Sequence, residues 1–289
     1  MGLIDTAKRP IRTIRDAVLV RLFTFAAKRR LNRKRPRQGH DLPGELIVSL
    51  TSYPSRFATL HLTLACLLDQ TVRPDRVVLW IAEQDVDELP PTVTSLEAHG
   101  LEIRTCDDLR SYKKLVPALR DYPDAWIATA DDDVYYGRRW LAELVQGLGS
   151  GKTLITCHRA HRIRRDRGGK IAPYLTWRFD VQDDRARRPS TDLLPTGVGG
   201  ILYPPGSLDS RVEAQTLFQR LSPAGDDLWF YWCARLAGAK YRKVGGKLRL
   251  VSWPATQEAA LWNENEGGPN DRAIAALERE FPLPADGVG

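Results

Sequence analysis

Short apolar segments alternate with amphipathic segments along residues 45–157, and this alternation restricts the fold more than any other feature of the sequence. The apolar segments have the length of buried β-strands, and the segments between them place leucine at helical spacing. The predicted strands are residues 45–51, 76–82, 101–105, 125–130 and 153–157, and the predicted helices are residues 56–70, 91–99, 113–122 and 138–148. Strands separated by single helices imply parallel crossovers, so we expect an α/β fold with a mostly parallel sheet and helices on both faces.

The loops that follow these strands carry most of the candidate functional residues. Ligands of such sheets bind outside the carboxyl ends of the strands. That rule places four polar segments at one edge, namely residues 51–56, 83–85, 107–114 and 131–133. After residue 158 the alternation weakens, and loops, tryptophan and glycine become frequent. We therefore predict one domain over residues 43–289, divided into halves at residues 43–157 and 158–289.

The basic charge of the chain is concentrated near its N terminus. The 289 residues carry a net charge of +7, yet residues 8–37 hold twelve Lys and Arg residues against one acid, Asp16. The rest of the chain has more acidic than basic residues, which argues against a nucleic-acid-binding surface on the body. The four cysteines are scattered without a CxxC pair, so we expect free thiols in a reducing compartment.

The same N-terminal segment is predicted to form an amphipathic helix. Its apolar residues follow helical spacing at Ile11, Ile14, Val18, Leu22, Phe25 and Ala26, and Leu19 and Phe23 widen the stripe. Such a helix can lie on an anionic membrane with Phe23 and Phe25 in the interface, or it can dock on the protein body. Arg21 interrupts the longest apolar stretch, so a transmembrane helix and a signal peptide are not expected. We predict an arm and linker over residues 1–42, and a cytoplasmic protein with possible attachment to the inner face of the cell membrane.

Asp131, Asp132 and Asp133 directly follow a predicted buried strand and are the strongest indication of chemistry. Three adjacent carboxylates repel one another, and a divalent cation relieves that repulsion. Oxygen ligands suit Mg²⁺ or Mn²⁺, which usually also bind substrate phosphates. In an extended segment Asp131 and Asp133 would share a face, so we predict these two as ligands of Mn²⁺ or Mg²⁺, with Asp132 as an alternative. The other interpretation is a turn and cap for the helix at residue 138.

Six segments resemble, in their order and spacing, the GT-A glycosyltransferases, in particular the bacterial family-2-like branch. They are SLTSYPSRF (49–57), CLLDQTVRPDRVVLW (66–80), KKLVPAL (113–119), ATADDDVYY (128–136), LPTGVGGILYPPGSL (194–208) and GDDLWFYW (225–232). The resemblance covers about residues 45–275. It implies a GT-A fold and a metal-dependent transfer of a sugar from a nucleotide-diphosphate sugar, for which a UDP-sugar is the first guess, to a glycan or lipid-linked acceptor. Residues 43–157 would bind the donor, and residues 158–289 would bind the acceptor.

The resemblance also implies roles for individual residues. Thr51, Tyr53 and Arg56 would lie near the nucleoside, Asp85 near the uracil or ribose, Lys113 and Lys114 at the diphosphate, Asp131 at the ribose and metal, and Asp133 at the metal. Asp227 or Asp226, at the start of a helix, would be the general base that deprotonates the acceptor hydroxyl. For these residues a turn, a helix cap or a solvated loop is the alternative interpretation.

Other features of residues 158–289 are compatible with an acceptor site or with a purely structural role. They are the glycine-rich segment 195–200, the basic stretch of His158, Arg159, His161, Arg162, Arg164 and Arg165, and the tryptophans Trp177, Trp229, Trp232, Trp253 and Trp262. The polar residues Asn263, Asn265, Asn270 and Asp271 are expected to order a C-terminal loop over the donor or to cap a helix over residues 271–281. Arginines could bind an anionic acceptor, and tryptophans could stack on sugar rings, although a core position is the default for each tryptophan.

The sequence has no Q-x-x-R-W motif and no predicted transmembrane helix, which points away from a synthase that extrudes its own polymer. We therefore expect transfer of one or a few sugars, with inversion, in the synthesis of a cell-surface polysaccharide or glycolipid. A nucleotidyltransferase or phosphotransferase on a similar sheet is the enzymatic alternative, although a GxxxxGK[ST] loop is missing. A non-enzymatic, basic-armed nucleic-acid-binding protein is the third hypothesis and the least favoured, so no nucleic-acid partner is predicted.

Overall fold

Strands and helices alternate along the first half of the chain, as predicted, and short strands follow in the second half. The computed structural model describes residues 8–31, 36–149, 153–223, 225–248, 250–253 and 268–284, with side chains from residue 18 onward. The strands are β1 (Leu46–Thr51), β2 (Arg76–Ala82), β3 (Leu101–Cys106), β4 (Trp126–Thr129), β5 (Leu154–Cys157), β6 (Ala160–Arg162), β7 (Leu193–Pro195), β8 (Ile201–Tyr203) and β9 (Lys240–Lys243). The α-helices are α1 (Lys8–Lys28), α2 (Phe57–Leu68), α3 (Pro91–Thr94), α4 (Val116–Asp121), α5 (Trp140–Gln146), α6 (Gln215–Leu221), α7 (Asp226–Leu236) and α8 (Pro269–Glu280).

The central sheet has seven strands in the order β3-β2-β1-β4-β8-β5-β9, and β6 and β7 form a separate pair. Parallel pairing joins β1 to β2 and β4, β2 to β3, and β5 to β9. Within the described part of the central sheet, β8 lies between β4 and β5 and runs antiparallel to both. The predicted α/β fold with a mostly parallel sheet is confirmed. The antiparallel strand β8 is an addition that the alternation of strands and helices did not predict.

Side chains of the strands alternate between two hydrophobic cores, one on each face of the sheet. In β1, Ile47 belongs to the core that contains residues of α4, α7 and α8. Leu46 and Val48 belong to the core that contains residues of α1, α2 and α5. All three side chains are fully buried. Helices therefore cover both faces of the sheet, as expected for a sheet built from parallel crossovers.

Four of the five tryptophans considered for sugar stacking are buried in these cores, namely Trp177, Trp229, Trp232 and Trp253. The default interpretation as core residues is thus confirmed for these four. Trp262 lies outside the described residues. All four cysteines are free, as predicted.

The predicted helix over residues 113–122 is divided in two. A 3₁₀ turn covers Arg110–Lys114, and α4 then begins at Val116 with Pro117 in its first turn. Proline fits the first turn of a helix because no N–H partner is needed there, whereas it breaks a helix interior. Lys113 and Lys114 consequently precede α4, and their side chains are buried.

The N-terminal helix α1 docks on the body through one face. The rings of Phe23 and Tyr135 pack with centroids 4.3 Å apart, and Ala27 is fully buried. Arg30 is buried as well and donates to the Tyr135 hydroxyl at 2.5 Å and to the Cys66 carbonyl at 3.4 Å. Phe23 therefore packs on the body, which agrees with the docked alternative for this residue rather than with a position in a membrane interface. Within the described ranges, no helix is both long and apolar enough to cross a bilayer.

Candidate active site

The loops that follow β1, β2, β3 and β4 emerge at one edge of the sheet because these strands run parallel to one another. The loop after β1 brings Ser52, Tyr53 and Arg56 to this edge, and the loop after β4 brings the aspartate triplet. The contacts described below show that the start of α7 and the glycine-rich segment between β7 and β8 reach the same place. The predicted edge therefore assembles residues from both halves of the chain.

Asp132 and Asp133 are buried and share one arginine from the loop after β1. Arg56 Nη1 lies 2.7 Å from Asp132 Oδ1 and 3.2 Å from Asp133 Oδ2, and Ser52 Oγ donates to Asp132 Oδ2 at 2.5 Å. Burial raises the pKa of both carboxyls, that of Asp133 to about 7, although the charge of Arg56 opposes the rise. Burial also lowers the pKa of Arg56, but the two carboxylates outweigh that effect and raise it overall.

The triplet does not place Asp131 and Asp133 side by side in the way an extended strand would. β4 ends at Thr129, and the triplet forms a turn. As a result Asp132 shares its arginine partner with Asp133, whereas Asp131 is directed to a different cation, Lys114. The extended segment from which the shared face was argued is therefore absent, because β4 stops before the triplet begins, and joint binding of a cation by Asp131 and Asp133 stays a prediction.

Lys114 joins the aspartate triplet to the second acidic motif. Its Nζ lies 3.0 Å from Asp131 Oδ1 and 2.8 Å from Asp226 Oδ2, and its side chain is 7% exposed. Burial would lower the pKa of Lys114, but Asp131, Asp226 and Asp227 together hold it well above its ordinary value. The backbone carbonyl of Lys114 accepts from Ser49 Oγ in β1 at 2.6 Å. The lysine is thus a fixed, charged bridge between two segments far apart in the sequence.

Asp227 occupies the first turn of α7 and differs from its neighbour Asp226. Asp226 is buried against Lys114, whereas Asp227 is half-buried and accepts the backbone N–H of Gly197 at 2.9 Å through Oδ1. Desolvation raises the pKa of Asp227 to about 7, the charge of Asp226 adds to the rise, and Lys114 opposes it. Asp227 therefore has a pKa suited to proton transfer near neutral pH.

Gly197 marks the point at which these groups meet. A Cβ atom at this position would lie 2.5 Å from Lys114 Nζ, 3.2 Å from Asp227 Oδ1 and 3.3 Å from Asp131 Oδ1. A hydrogen atom is therefore the only side chain that leaves the three charged groups in place. The Tyr136 hydroxyl supports this segment, since it donates to the Val198 carbonyl at 3.1 Å and accepts from the Asp131 N–H at 2.9 Å.

Thr51, Tyr53 and Arg56 lie at the end of β1 and in the loop that follows. The Thr51 hydroxyl donates to the Trp80 carbonyl at 2.8 Å, so it ties β1 to β2. Tyr53 is 36% exposed, and the Arg56 guanidinium lies 5.3 Å from the centre of its ring. An exposed aromatic ring beside a cation, next to two carboxylates, forms a surface on which a planar ring can stack.

Asp85 and Lys113 follow the neighbouring strands β2 and β3. Asp85 is half-buried in a 3₁₀ segment, Glu83–Glu88, that begins as soon as β2 ends. Lys113 Nζ is buried and lies 2.7 Å from Asp108 Oδ1. Both residues therefore lie in loops of the predicted edge, and Lys113 is paired within its own loop. Their contact with a donor stays a prediction.

The basic stretch after β5 is largely paired within the protein. His158 contacts the Trp140 carbonyl through Nε2 at 2.9 Å, His161 Nδ1 accepts from the Asp180 N–H at 3.1 Å, and Arg162 bridges Asp183 and Asp192. Burial lowers the pKa of His161 to about 3, so this imidazole is neutral. Arg159 donates to Thr196 Oγ1 at 2.8 Å and backs the glycine-rich segment. Arg164 and Arg165 are exposed.

Of the four polar residues considered near the C terminus, two belong to the described residues. Asn263 and Asn265 lie outside the described residues. Asp271 accepts the backbone N–H of Tyr174 at 2.7 Å, and Asn270 is buried in the first turn of α8. Asp271 therefore fastens α8 to the segment after β6, whereas α8 begins after Gly268 without a side-chain hydrogen bond at its N-cap, so the alternative interpretation as a helix cap is not supported.

The carboxylates of the triplet can supply some of the ligands of a divalent cation, but not a complete coordination shell. Nowhere in the described ranges do three or more His, Cys, Asp or Glu side chains form a group that could hold a metal ion. Mg²⁺, however, is usually bound through one or two carboxylates, with substrate phosphates and water completing the shell. Asp131, whose side chain is 28% exposed, has the chemistry and access for such a ligand, and Asp133 could contribute a second oxygen. The donor set thus suits a cation that arrives with a phosphate-bearing substrate.

Sequence reasoning missed two residues that organise the site. Ser52 holds Asp132, yet a serine beside a Tyr-Pro turn carries no signal that distinguishes it from an ordinary turn residue. Gly197 was only part of a glycine-rich segment, and its contact with Lys114 depends on the fold. The bridging position of Lys114 was also missed, because a lysine near an acidic motif was interpreted as a diphosphate ligand.

Comparison with known proteins gives a fold-level similarity only. No family model matches the chain, and no curated protein matches it. Among solved structures, the crystal structure of GalNAc-T7 with UDP, GalNAc and Mn²⁺ is similar over 85% of this chain, with 13% sequence identity and a TM-score of 0.44. The chain spans 48% of the length of that protein. A similarity of this degree assigns no role to individual residues.

Proposed function

We propose that the protein is a glycosyltransferase that moves a sugar from a nucleotide-diphosphate sugar to a hydroxyl group of a glycan or lipid-linked acceptor. The observation that supports this proposal is the meeting of Asp131, Lys114 and Asp227 around Gly197. It brings a half-exposed carboxylate, a buried cation and a carboxyl with a raised pKa together at the edge of the sheet where nucleotides bind in α/β proteins. The resemblance of the six sequence segments points to the same chemistry.

Asp227 is proposed as the general base. It removes the proton of the acceptor hydroxyl as that oxygen attacks the anomeric carbon, while the bond from this carbon to the diphosphate oxygen breaks and the nucleoside diphosphate leaves. Gly197 N–H fixes the orientation of the carboxylate through Oδ1, and the pKa of about 7 matches proton transfer near neutral pH. A single displacement of this kind inverts the anomeric configuration.

The donor is proposed to lie along the loops after β1 and β4. Tyr53 offers an exposed ring on which the nucleobase of the donor can stack, and a UDP-sugar is the first donor to test. Asp131 and Asp133 would hold a divalent cation, Mn²⁺ or Mg²⁺, which when bound neutralises charge on the diphosphate. Arg56 and Lys114 add fixed positive charge behind these carboxylates. The product is proposed to be a cell-surface polysaccharide or glycolipid.

The experiment that tests the proposal measures nucleoside diphosphate released from a panel of nucleotide sugars by the full-length protein with MnCl₂ or MgCl₂. We expect Asp227→Asn and Asp131→Asn to lower the rate by about 100-fold or more, since general-base and charge-stabilising groups contribute on this scale. Asp184→Asn is the matched control, because this carboxylate is 99% exposed and forms an ion pair with Arg187 on the surface. An unchanged rate in Asp227→Asn would contradict the proposed base. Release of pyrophosphate instead of nucleoside diphosphate would indicate a nucleotidyltransferase.

A further inference from the structure

Helix α1 presents three large apolar side chains to solvent. Val18 is 50% exposed, and Leu22 and Phe25 are each 59% exposed. Their spacing of four and three residues places them on one face of the helix. Exposed large apolar residues that are scattered singly need no explanation, but three on consecutive turns form a contiguous patch.

The same face carries positive charge. Arg21, Lys28 and Arg29 are exposed, and the Arg29 guanidinium lies 4.9 Å from the centre of the Phe25 ring. Between Asp16 and Asp41 the sequence contains no acidic residue, so no carboxylate of this segment neutralises these cations. We call the six residues Val18, Arg21, Leu22, Phe25, Lys28 and Arg29 the outer face of α1.

The docking of α1 fixes the direction in which the outer face points. Phe23, Ala27 and Arg30 hold the opposite side of the helix segment against the body, with Tyr135 as the shared partner of Phe23 and Arg30. The body therefore covers one side of the helix and leaves the outer face uncovered. Because Tyr135 follows Asp133 by two residues, the docked side of α1 contacts the segment that continues the aspartate triplet, and the outer face points away from it.

We propose that the outer face of α1 binds the surface of an anionic phospholipid bilayer, with the helix lying parallel to the membrane plane. An apolar stripe flanked by cations fits a surface with acyl chains beneath negatively charged headgroups. A second copy of the chain would bring three cations against three cations, so charge complementarity favours the lipid. The inference is independent of the reaction that the site performs.

The test is co-sedimentation of the full-length protein with vesicles of phosphatidylcholine, with and without phosphatidylglycerol. We expect the wild type to bind the anionic vesicles. Binding should be about tenfold weaker in the apolar variant Val18→Ser/Leu22→Ser/Phe25→Ser and in the charge variant Arg21→Gln/Lys28→Gln/Arg29→Gln. Each variant keeps only one of the two contributions, apolar insertion or charge attraction, and one contribution alone gives marginal attachment. Leu175→Ser is the matched control, since this leucine is 61% exposed on another part of the surface. It is expected to bind as the wild type does.

Three results would overturn the proposal. They are a wild-type protein that does not bind anionic vesicles, an apolar variant that binds as tightly as the wild type, and a dimer in light scattering that only the outer-face substitutions dissociate. Thermal unfolding shows whether each variant is folded. If a triple variant is unfolded, the single variant Leu22→Ser replaces it, and its binding to anionic vesicles is compared with that of the wild type in the same way. Donor hydrolysis without vesicles is expected to be unchanged in these variants, so loss of membrane binding is distinguishable from failure of the proposed reaction.

Discussion

At the scale of single residues, Lys114 has the most consequences, because one buried ammonium group compensates carboxylates from two distant segments. Asp131 and Asp226 lie within 3.0 Å of its Nζ, and Asp227 adds to the field that keeps it charged. Removing one partner of a buried ion pair is far more costly than the pair is stabilising, since the remaining charge loses its only compensation. The cluster around Gly197 therefore depends on Lys114 for stability as well as for charge.

We expect Lys114→Met to lower the free energy of unfolding by about 3–5 kcal/mol, the usual cost of leaving buried charge without its partner. The measurement is urea-induced unfolding at pH 7. Lys240→Met is the control, because Lys240 is exposed at the start of β9 and its substitution should change stability by less than about 0.5 kcal/mol. Combining Lys114→Met with Asp226→Asn should recover part of the loss. No recovery would indicate that the lysine acts through packing rather than charge.

The raised pKa of Asp227 predicts a pH dependence of activity. A general base works only when it is deprotonated, so the transfer rate should rise about tenfold per pH unit below the pKa and level off above about 7. The same shift affects stability in the opposite direction. The contribution of this carboxyl is fully present below the unfolded pKa of about 3.9 and is lost as the pH rises through 7.

The measurement for this prediction is the initial rate between pH 5 and pH 9, compared in the wild type and in Asp227→Asn. The substitution should remove the limb below about pH 7 together with most of the rate. If the residual activity of Asp227→Asn rises with pH in the same way as the wild-type activity, the pH dependence belongs to another group. Asp133 is the first candidate, because its pKa is also raised to about 7.

At the scale of elements, α2 supports the turn that carries the aspartates. Thr63 Oγ1 in α2 lies 2.8 Å from the Asp132 carbonyl and 3.1 Å from the Val134 carbonyl, and it accepts from Trp253 Nε1 at 2.7 Å. One buried hydroxyl thus ties the helix, the turn after β4 and the segment at Trp253 together. β4 ends before the triplet, so Thr63 supports the turn together with the antiparallel bridge between Val134 and Ser252, in which the Trp253 N–H donates to the Asp133 carbonyl at 3.0 Å.

We expect Thr63→Val to lower the free energy of unfolding by about 1–3 kcal/mol, because an isosteric side chain leaves buried polar groups without a hydrogen bond. Donor affinity should fall as well, since the triplet loses part of its support. Equilibrium unfolding and a donor titration measure the two effects. Thr59→Val, one turn earlier in α2, is the control, as its hydroxyl makes only a 3.5 Å contact with the Arg56 carbonyl. Equal effects of both substitutions would contradict the special role of Thr63.

At the scale of the whole molecule, the sequence predicts the parallel part of the sheet well and the second half poorly. β2 has the predicted bounds, and β1 and β3 differ from prediction by one residue. β1 and β2 are short, buried apolar runs, whereas β3 is a mostly half-buried strand at the edge of the sheet. Strands β6, β7 and β8 have three residues each, and β9 is mostly polar at four. Such segments become strands only through their neighbours, so no local pattern reveals them.

The candidate site, like the sheet, was predictable from the sequence only in part. The edge of the sheet and the acidic motifs were predictable, since the position of a loop after a parallel strand follows from the topology. Which groups pair was not predictable, because Arg56 and Asp132 are 76 residues apart and Lys114 pairs both with Asp131, 17 residues away, and with Asp226 in the second half of the chain. Pairing across such separations depends on packing that one sequence does not display.

The position of β8 predicts that the two halves do not fold separately. β8 belongs to residues 158–289 but lies between β4 and β5 of the first half. We expect a fragment of residues 36–157 to lack a cooperative thermal transition, because both strands are left with unpaired backbone groups. Differential scanning calorimetry tests this, with the full chain as reference. A sharp transition in the fragment would mean that the first half is an independent folding unit.

Protein synthesis gives this arrangement a further consequence. While the ribosome has released only the first half, β4 has no strand on one side, and its unpaired edge is a template for contact with other chains. The sheet becomes continuous only after β8 has left the exit tunnel, and its last strand, β9, follows still later. Nascent chains are therefore expected to need protection by chaperones until most of the polypeptide has been made.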